Sequence, residues 1–482
     1  MPYLIECVTR PHERRRLLYR TLSAYVDRRC IIPGMTLSLA KALRVQSTSC
    51  IAFTGAGGKT TAMFQLAREL TPPVVVTATT HLGAWQIELA DTHIAAGVAS
   101  IEELEHGLNG VILITGKLDG DRAKPINDHL SGWLHQFCGY HSIPLLIEAD
   151  GSRQKPLKAW ADHEPPVPLF AEQIVEMAGL SGIGKPLNAD NIHRPEIFST
   201  LSGLNREEAV TAEAVNRVLL HENGGLKNIP PNARKSILLN QADTPELQSV
   251  ASAMAKALMA KFDSVIVSSL KEKRIFAVHE PVAGIILAAG ESSRFGQPKQ
   301  LLDWRGQPFV RAAAMRALEA GLSPVVVVTG ANAENVEETV KDLPVRIVRN
   351  EEWKEGQASS IRAGILSLTS AHLPPGEGHV GACIFLLADQ PQVTVSILRA
   401  LVERHAEGLY PILAPMVQDR RANPVLFDRA AFPDLLTLQG DIGGRGIFHK
   451  HHVEYLPWHD DRLLLDVDTP EMYQRIIKDD TL

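Results

Sequence analysis

Two cations at fixed offsets behind a loop of small residues give the clearest chemical signal in this 482-residue chain. Residues 284–304 read GIILAAGESSRFGQPKQLLDW. Ile285, Ile286 and Leu287 form an apolar run that predicts a buried strand, which breaks into Ala288, Ala289, Gly290, Glu291, Ser292 and Ser293. A loop without bulky side chains lets backbone N–H groups close on a phosphate. Arg294 and Lys299 follow, placed to neutralise a triphosphate and the charge that develops when it is attacked. Later, the fully apolar run from Ala382 to Ala388 predicts a strand buried on both faces, and it ends in Asp389. An aspartate at the carboxyl end of a central parallel strand lies where open α/β sheets bind ligands.

A second loop has related grammar. After a short strand from Ser49 to Phe53 come Thr54, Gly55, Ala56, Gly57, Gly58, Lys59, Thr60 and Thr61, and then a helical pattern. This is the order of a P-loop, with Lys59 reaching the outer phosphates of GTP or ATP and Thr60 holding Mg²⁺. The standard spacing puts a glycine six residues before the lysine, and here that residue is Phe53. A strand over 73–80 and another over Leu145–Ile147 accompany the loop, the latter running into Glu148 and Asp150. Acids at a strand end suit a Mg²⁺-bound water, and Asp150 is the expected ligand. The apolar run Ser236–Leu239 leads into Asn240, Gln241, Ala242 and Asp243, similar to the N-K-x-D element with which GTPases read guanine. Lys155, Lys158, His163, His193 and Arg194 form a candidate anion pocket beside the loop.

The elements that must position these groups read as two α/β domains. Helical segments are expected at Thr36–Val45 and Arg311–Ala320, and further strands at Val325–Thr329 (ending at Gly330), Val345–Val348, Ile412–Met416 and Pro424–Phe427. The stretch Lys271–Ala283 mixes charge with Pro281 and predicts a boundary near 281. Residues 1–35 are then an N-terminal arm, 36–280 a P-loop NTPase-like domain, and 281–482 a Rossmann-like domain with a mostly parallel sheet.

The second domain resembles the MobA-like nucleotidyltransferases, and within them the molybdenum cofactor cytidylyltransferases. The match rests on L-A-A-G-x-S-x-R-x-G-x-x-K, the Asp389 strand end, and a terminal D-x-D-T-P at Asp466 to Pro470. The resemblance implies that Leu287, Ala288, Ala289, Gly290, Ser292, Arg294 and Lys299 hold the CTP phosphates. Gly330 and the loop with Asn350, Trp353, Gly356, Ser360 and Arg362 would frame base and ribose, although Gln357 and Ala358 stand where the family has Met-Ser. Asp389 with Asp466 or Asp468 would hold Mg²⁺. Asn423 in the loop Asp419–Pro424, and Asp441 and Arg445 in the loop Gly440–Gly446, would meet the acceptor, a molybdopterin-type molybdenum cofactor. Residues 36–275 resemble YqeC-type accessory proteins of selenium-dependent molybdenum hydroxylases. The matching stretches are GAGGKTT, EADGSRQKPLKAWADHEP, GKPLNADNIHRPE and LLNQADT. That resemblance implies a client molybdenum hydroxylase as partner.

Composition narrows the alternatives. A net charge of −6 argues against a nucleic-acid binder that relies on overall basicity. Five scattered cysteines without a C-x-x-C pair argue against a disulfide framework or structural zinc. His449, His451, His452 and His459 lack the helical pairing of a hydrolytic zinc site. No run of about eighteen apolar residues or signal peptide is read, so a cytoplasmic protein is expected. The competing readings are a sugar-phosphate nucleotidyltransferase, whose loops typically read L-A-A-G-x-G-T-R, and a nucleotide-switched handover protein without catalysis.

Overall fold

The computed structural model describes residues 37–96, 108–291, 295, 297–369, 379–467 and 469–479. The arm 1–35, Ser292, Arg294 and Asp468 lie outside the described residues.

Two sheets organise the rest. The first has nine strands, in the order Arg274–His279, Ser264–Ser269, Arg234–Asn240, Gln173–Gly179, Cys50–Gly55, Leu145–Glu148, Val74–Ala78, Val111–Thr115 and Thr92–Ala95. Only Arg274–His279, at one edge, runs antiparallel. The central strands are buried along their whole length, as expected of a parallel sheet covered on both faces. The strand Gln173–Gly179 sits directly beside Cys50–Gly55, yet Gln173 and Glu176 interrupt its apolar pattern. Those polar groups are bonded inside the protein: Gln173 donates to Leu43 O and Ser236 Oγ, and Glu176 accepts from Thr54 Oγ1.

In the second sheet Arg346–Arg349, Val325–Thr329, Val282–Ala288 and Ala382–Leu387 are parallel neighbours. Val425–Asp428 is antiparallel to both Ala382–Leu387 and Ile412–Val417, and Val453–Pro457 closes the far side. Separate apolar clusters fill its two faces, one built on Ile286, Leu386 and Leu413, the other on Ile285, Phe385 and Phe427. The architecture is mixed α/β with mostly parallel sheets. The helix expected over Thr36–Val45 is only Leu39–Ala42, capped by the Ser38 hydroxyl accepting from Lys41 N.

The chain passes from one sheet to the other at Glu280 and Pro281. Here a buried charge network spans both. Arg44 forks onto Asp428 with both bonds at 2.7 Å and also reaches Glu280 at 2.7 Å. Arg234 pairs with the other oxygen of Glu280, and His405 lies 2.8 Å from Asp428. Burial works against ionising Glu280, but Arg44 and Arg234 outweigh it and hold the carboxyl below its ordinary value. Asp428 is also buried, and its bonds to His405 and Arg44 pull it lower still.

Candidate functional sites

The first loop follows the strand Cys50–Gly55 and opens the helix Lys59–Glu69. Gly55 and Gly57 have φ of +86° and +88°, and a Cβ on Gly57 would sit 2.4 Å from Gly179 N. Glycine is therefore required by the chain's own packing. Asn240 secures the loop, donating to Gly57 O at 2.7 Å while its oxygen accepts from Leu270 N. Asp243 is exposed and accepts from Ser269 Oγ.

Lys59 is 4 % exposed and folds back, donating to Gly55 O and facing Asp150 Oδ1 at 3.0 Å. That contact has ion-pair distance without hydrogen-bond alignment, since Oδ1 makes no hydrogen bond. Burial disfavours the ammonium, but Asp150 and Glu148 more than compensate and raise its pKa. Asp150 is fully buried and committed elsewhere: Oδ2 accepts from Lys158 Nζ at 2.8 Å, Trp160 Nε1 at 2.9 Å and Gly55 N at 3.1 Å. Asp150, the expected metal ligand, thus has Oδ2 shared among Lys158, Trp160 and Gly55 N, while Oδ1 faces Lys59. Glu148 is the carboxylate beside Thr60, with 3.3 Å from Thr60 Oγ1 to Oε2. Burial raises its pKa against the pull of Lys59. Thr61 is exposed on the helix.

The expected anion pocket is instead a balanced ion network. Lys158 pairs with Asp150 and with Glu164 at 3.2 Å, and Glu164 pairs with Arg194. Burial first, then Arg194 and Lys158, lowers the His193 pKa to about 4, so this imidazole is neutral at neutral pH. Lys155 donates to Asp190 O, and His163 is exposed.

In the second sheet the parallel registers Leu287↔Leu387 and Ala288↔Thr329 bring three loops to one edge. Leu287 and Ala288 are strand residues that place the loop. Gln300, itself buried, donates to Gly290 O at 3.0 Å and fixes the loop's turn. Gly330 is needed because a Cβ there would lie 2.8 Å from Ala289 Cβ and 2.9 Å from Trp353 Cβ. Lys299 Nζ lies 3.8 Å from Asp389 Oδ2, with side chains 14 % and 32 % exposed. Gln390, next to Asp389, donates to Asp466, which ties the segment after Leu465 to this edge.

Other expected site residues bond within the protein or lie at its surface. Ser360 accepts from Asn350 Nδ2 at 3.0 Å in the core. Arg362 donates to Leu438 O and pairs with Glu352 and Glu355. Asp441 accepts from Gln357 N at 3.4 Å at the start of the helix Gln357–Thr369, so it fastens its own loop to that helix. Gly356 reinforces the joint, its Cα side packed on Gly440 and Asp441 N. Asn423 is half-buried and Arg445 exposed. Sequence reasoning missed Gln300, Gln390 and the pairing of Glu148 with Thr60; polar residues just past the lysine and the strand-end aspartate were the available signal.

Each edge combines a glycine-rich turn, a lysine and a carboxylate at the carboxyl ends of parallel strands, in a mixed α/β protein with two large, mostly parallel sheets. Residues 51–196 belong to the YqeC protein family and residues 284–455 form a MobA-like NTP transferase domain, so the chain joins the two. The C-terminal half is accordingly a nucleotidyltransferase domain. The chain is 34 % identical over 205 residues to nicotine blue oxidoreductase of Paenarthrobacter nicotinovorans, covering 41 % of this chain and 96 % of that protein. It is 27 % identical to the uncharacterized protein YqeC of Escherichia coli (strain K12), covering 40 % of this chain and 75 % of the relative. Similarity to the molybdenum cofactor cytidylyltransferase of the same organism is 22 %, over 39 % of this chain and 91 % of that enzyme. Among the described residues no helix is long and apolar enough to cross a membrane.

Proposed function

We propose that the C-terminal domain transfers CMP from CTP to a molybdopterin-type molybdenum cofactor. A phosphate oxygen of the acceptor attacks the α-phosphorus of CTP, the bond to the β-phosphate breaks, and diphosphate leaves with that electron pair. The observation that carries this reading is the Lys299–Asp389 pair beside the Gly290 loop. Backbone around Ala289 and Gly290 receives the phosphates, and Lys299 balances their charge; Arg294 has the same proposed role. Ser292, Gly330, Ser360 and Arg362 shape the nucleotide side directly or through the loops they hold. Asn423, Asp441 and Arg445 belong to the acceptor side.

Asp389 and Asp466 suit Mg²⁺, which takes one or two carboxylates and completes its shell with substrate phosphates and water. Among the described residues no cluster of three or more His, Cys, Asp or Glu could hold a metal without such help. When bound, the ion would supply charge stabilisation at the transferred phosphoryl group. The reaction needs no covalent intermediate; positioning and charge neutralisation supply the rate.

The N-terminal domain, in the same proposal, binds GTP or ATP at Gly55–Thr61 in a P-loop-like manner, with Mg²⁺ at Thr60 and Glu148, and serves maturation of a client molybdenum hydroxylase. Diphosphate release in the presence of CTP, Mg²⁺ and the cofactor tests the transfer. The similarity to an oxidoreductase supplies the second reading: electron transfer to a dye with no diphosphate released would favour it.

A further inference from the structure

Arg421 has a setting unlike the other arginines of its sheet. It lies on the returning arm of a tight hairpin, Met416 opposite Arg421 and Val417 opposite Arg420, with Gln418 and Asp419 at positive φ in the turn. Its guanidinium is 5.8 Å from the ring centre of Phe448 and 5.7 Å from that of Tyr455. Arg404 and Lys450 nearby are paired with Glu454 and Asp434. Among the described residues no carboxylate lies within ion-pair distance of Arg421, in a chain with 55 acidic and 49 basic side chains. A guanidinium attracted to aromatic rings keeps N–H donors that can still meet an anion.

The hairpin leads to the reacting edge. Ile412–Val417 runs in the same direction as Ala382–Leu387, because both are antiparallel to Val425–Asp428, so the hairpin that follows Val417 lies at the same edge of the sheet as Asp389. Arg445 precedes Phe448 by three residues in the 3₁₀ segment Gly444–Lys450, where side chains three apart eclipse. No carboxylate among the described residues pairs with Arg445 either.

We propose that Arg421, with Arg445 beside it, forms an anion cradle that takes the phosphomonoester of the acceptor. The inference rests on the nucleotidyltransferase reading for its role in turnover, and on the arginine geometry alone for binding. Phe448 and Tyr455 flank the exposed guanidinium, which leaves its N–H groups open to an incoming acceptor. Arg421 then determines which acceptors are used, favouring a dianionic phosphate over an uncharged alcohol.

The experiment has two arms on the full chain. In the first, arginines are modified with phenylglyoxal and mapped by peptide mass, with phenyl phosphate, inorganic phosphate or phenol present. Both phosphate compounds should slow modification of Arg421 about fivefold or more, with phenol and the exposed Arg122 as controls. An unchanged rate at Arg421 would overturn the cradle. In the second arm, Arg421→Gln should raise KM for the cofactor about tenfold while KM for CTP stays within about twofold, and Arg421→Lys should fall between. Unaltered acceptor KM in a normally active Arg421→Gln chain would also overturn it. If no diphosphate is ever released but phosphate still protects Arg421, the cradle stands and the transfer reading falls.

Discussion

The two glycine-loop lysines share a local pattern, each against an aspartate, and differ in how deeply the pair is buried. Lys59 is enclosed, with Asp150 3.0 Å away and a second lysine, Lys158, on the same carboxylate. Lys299 is more open and faces a part-exposed Asp389 at 3.8 Å. Both lysines face an aspartate, and Lys299 is the more exposed of the two. A strand, small loop and lysine therefore do not by themselves specify what a site does. The carboxylates around the lysine decide it.

The largest effect that can break this contrast is expected at Asp389. Asp389→Asn should lower the transfer rate by roughly two to four orders of magnitude with the fold retained. A rate within about threefold of wild type, measured as diphosphate release, would take Asp389 out of the mechanism.

Next in size is the junction between the sheets. Arg44→Ala leaves Asp428 and Glu280 without their shared cation, and breaking one partner of such a buried pair costs about 3–5 kcal/mol. Both carboxyls are held below their ordinary values in the folded chain. Their contribution is complete above the usual carboxylate range and is lost progressively as pH falls from that range through their lower folded values, so the Tm gap between Arg44→Ala and wild type should narrow below about pH 4. A gap that widens with acid would contradict the assignment. The same network bears on independence. A fragment of residues 280–482 is expected to fold and retain transfer, but with lower stability than the full chain because Arg44 and Arg234 are removed. Denaturant unfolding of fragment and full chain measures the difference.

The smallest effect concerns the base. Ala289 packs over Gly330 beside Trp353, so a methyl at 289 sets how closely that loop approaches. CTP should be preferred over GTP by at least about tenfold in kcat/KM, since one methyl of pocket shape is worth about 1–3 kcal/mol. A competition assay that resolves the two dinucleotide products checks it, and predominance of the guanine product would remove Ala289 as the determinant.

Much of this was legible because it is local. The loops at Gly55–Lys59 and Ala288–Lys299 carry glycine, lysine and apolar strand within one short window. The strand Gln173–Gly179 was not legible, because Gln173 and Glu176 break the apolar run and their partners lie far along the chain. Nor was the Arg44–Asp428 pair, whose members are 384 residues apart. Glu148 and Asp150 are two residues apart and equally acidic, so only packing shows that Asp150 faces lysines while Glu148 faces Thr60. Asp441 reads as a phosphate ligand in a glycine-rich loop, and its bond to Gln357 N depends on where the helix begins.

The separation of the two lysines is tested most directly by one comparison. Diphosphate release from CTP, with Mg²⁺ and molybdenum cofactor, should be measured for Lys299→Ala and Lys59→Ala in parallel, alongside equilibrium binding of GTP and ATP. Lys299→Ala should lose about a hundredfold or more in transfer, while Lys59→Ala should stay within about twofold and lose its N-terminal nucleotide binding. Transfer that collapses in Lys59→Ala and survives in Lys299→Ala would contradict the account.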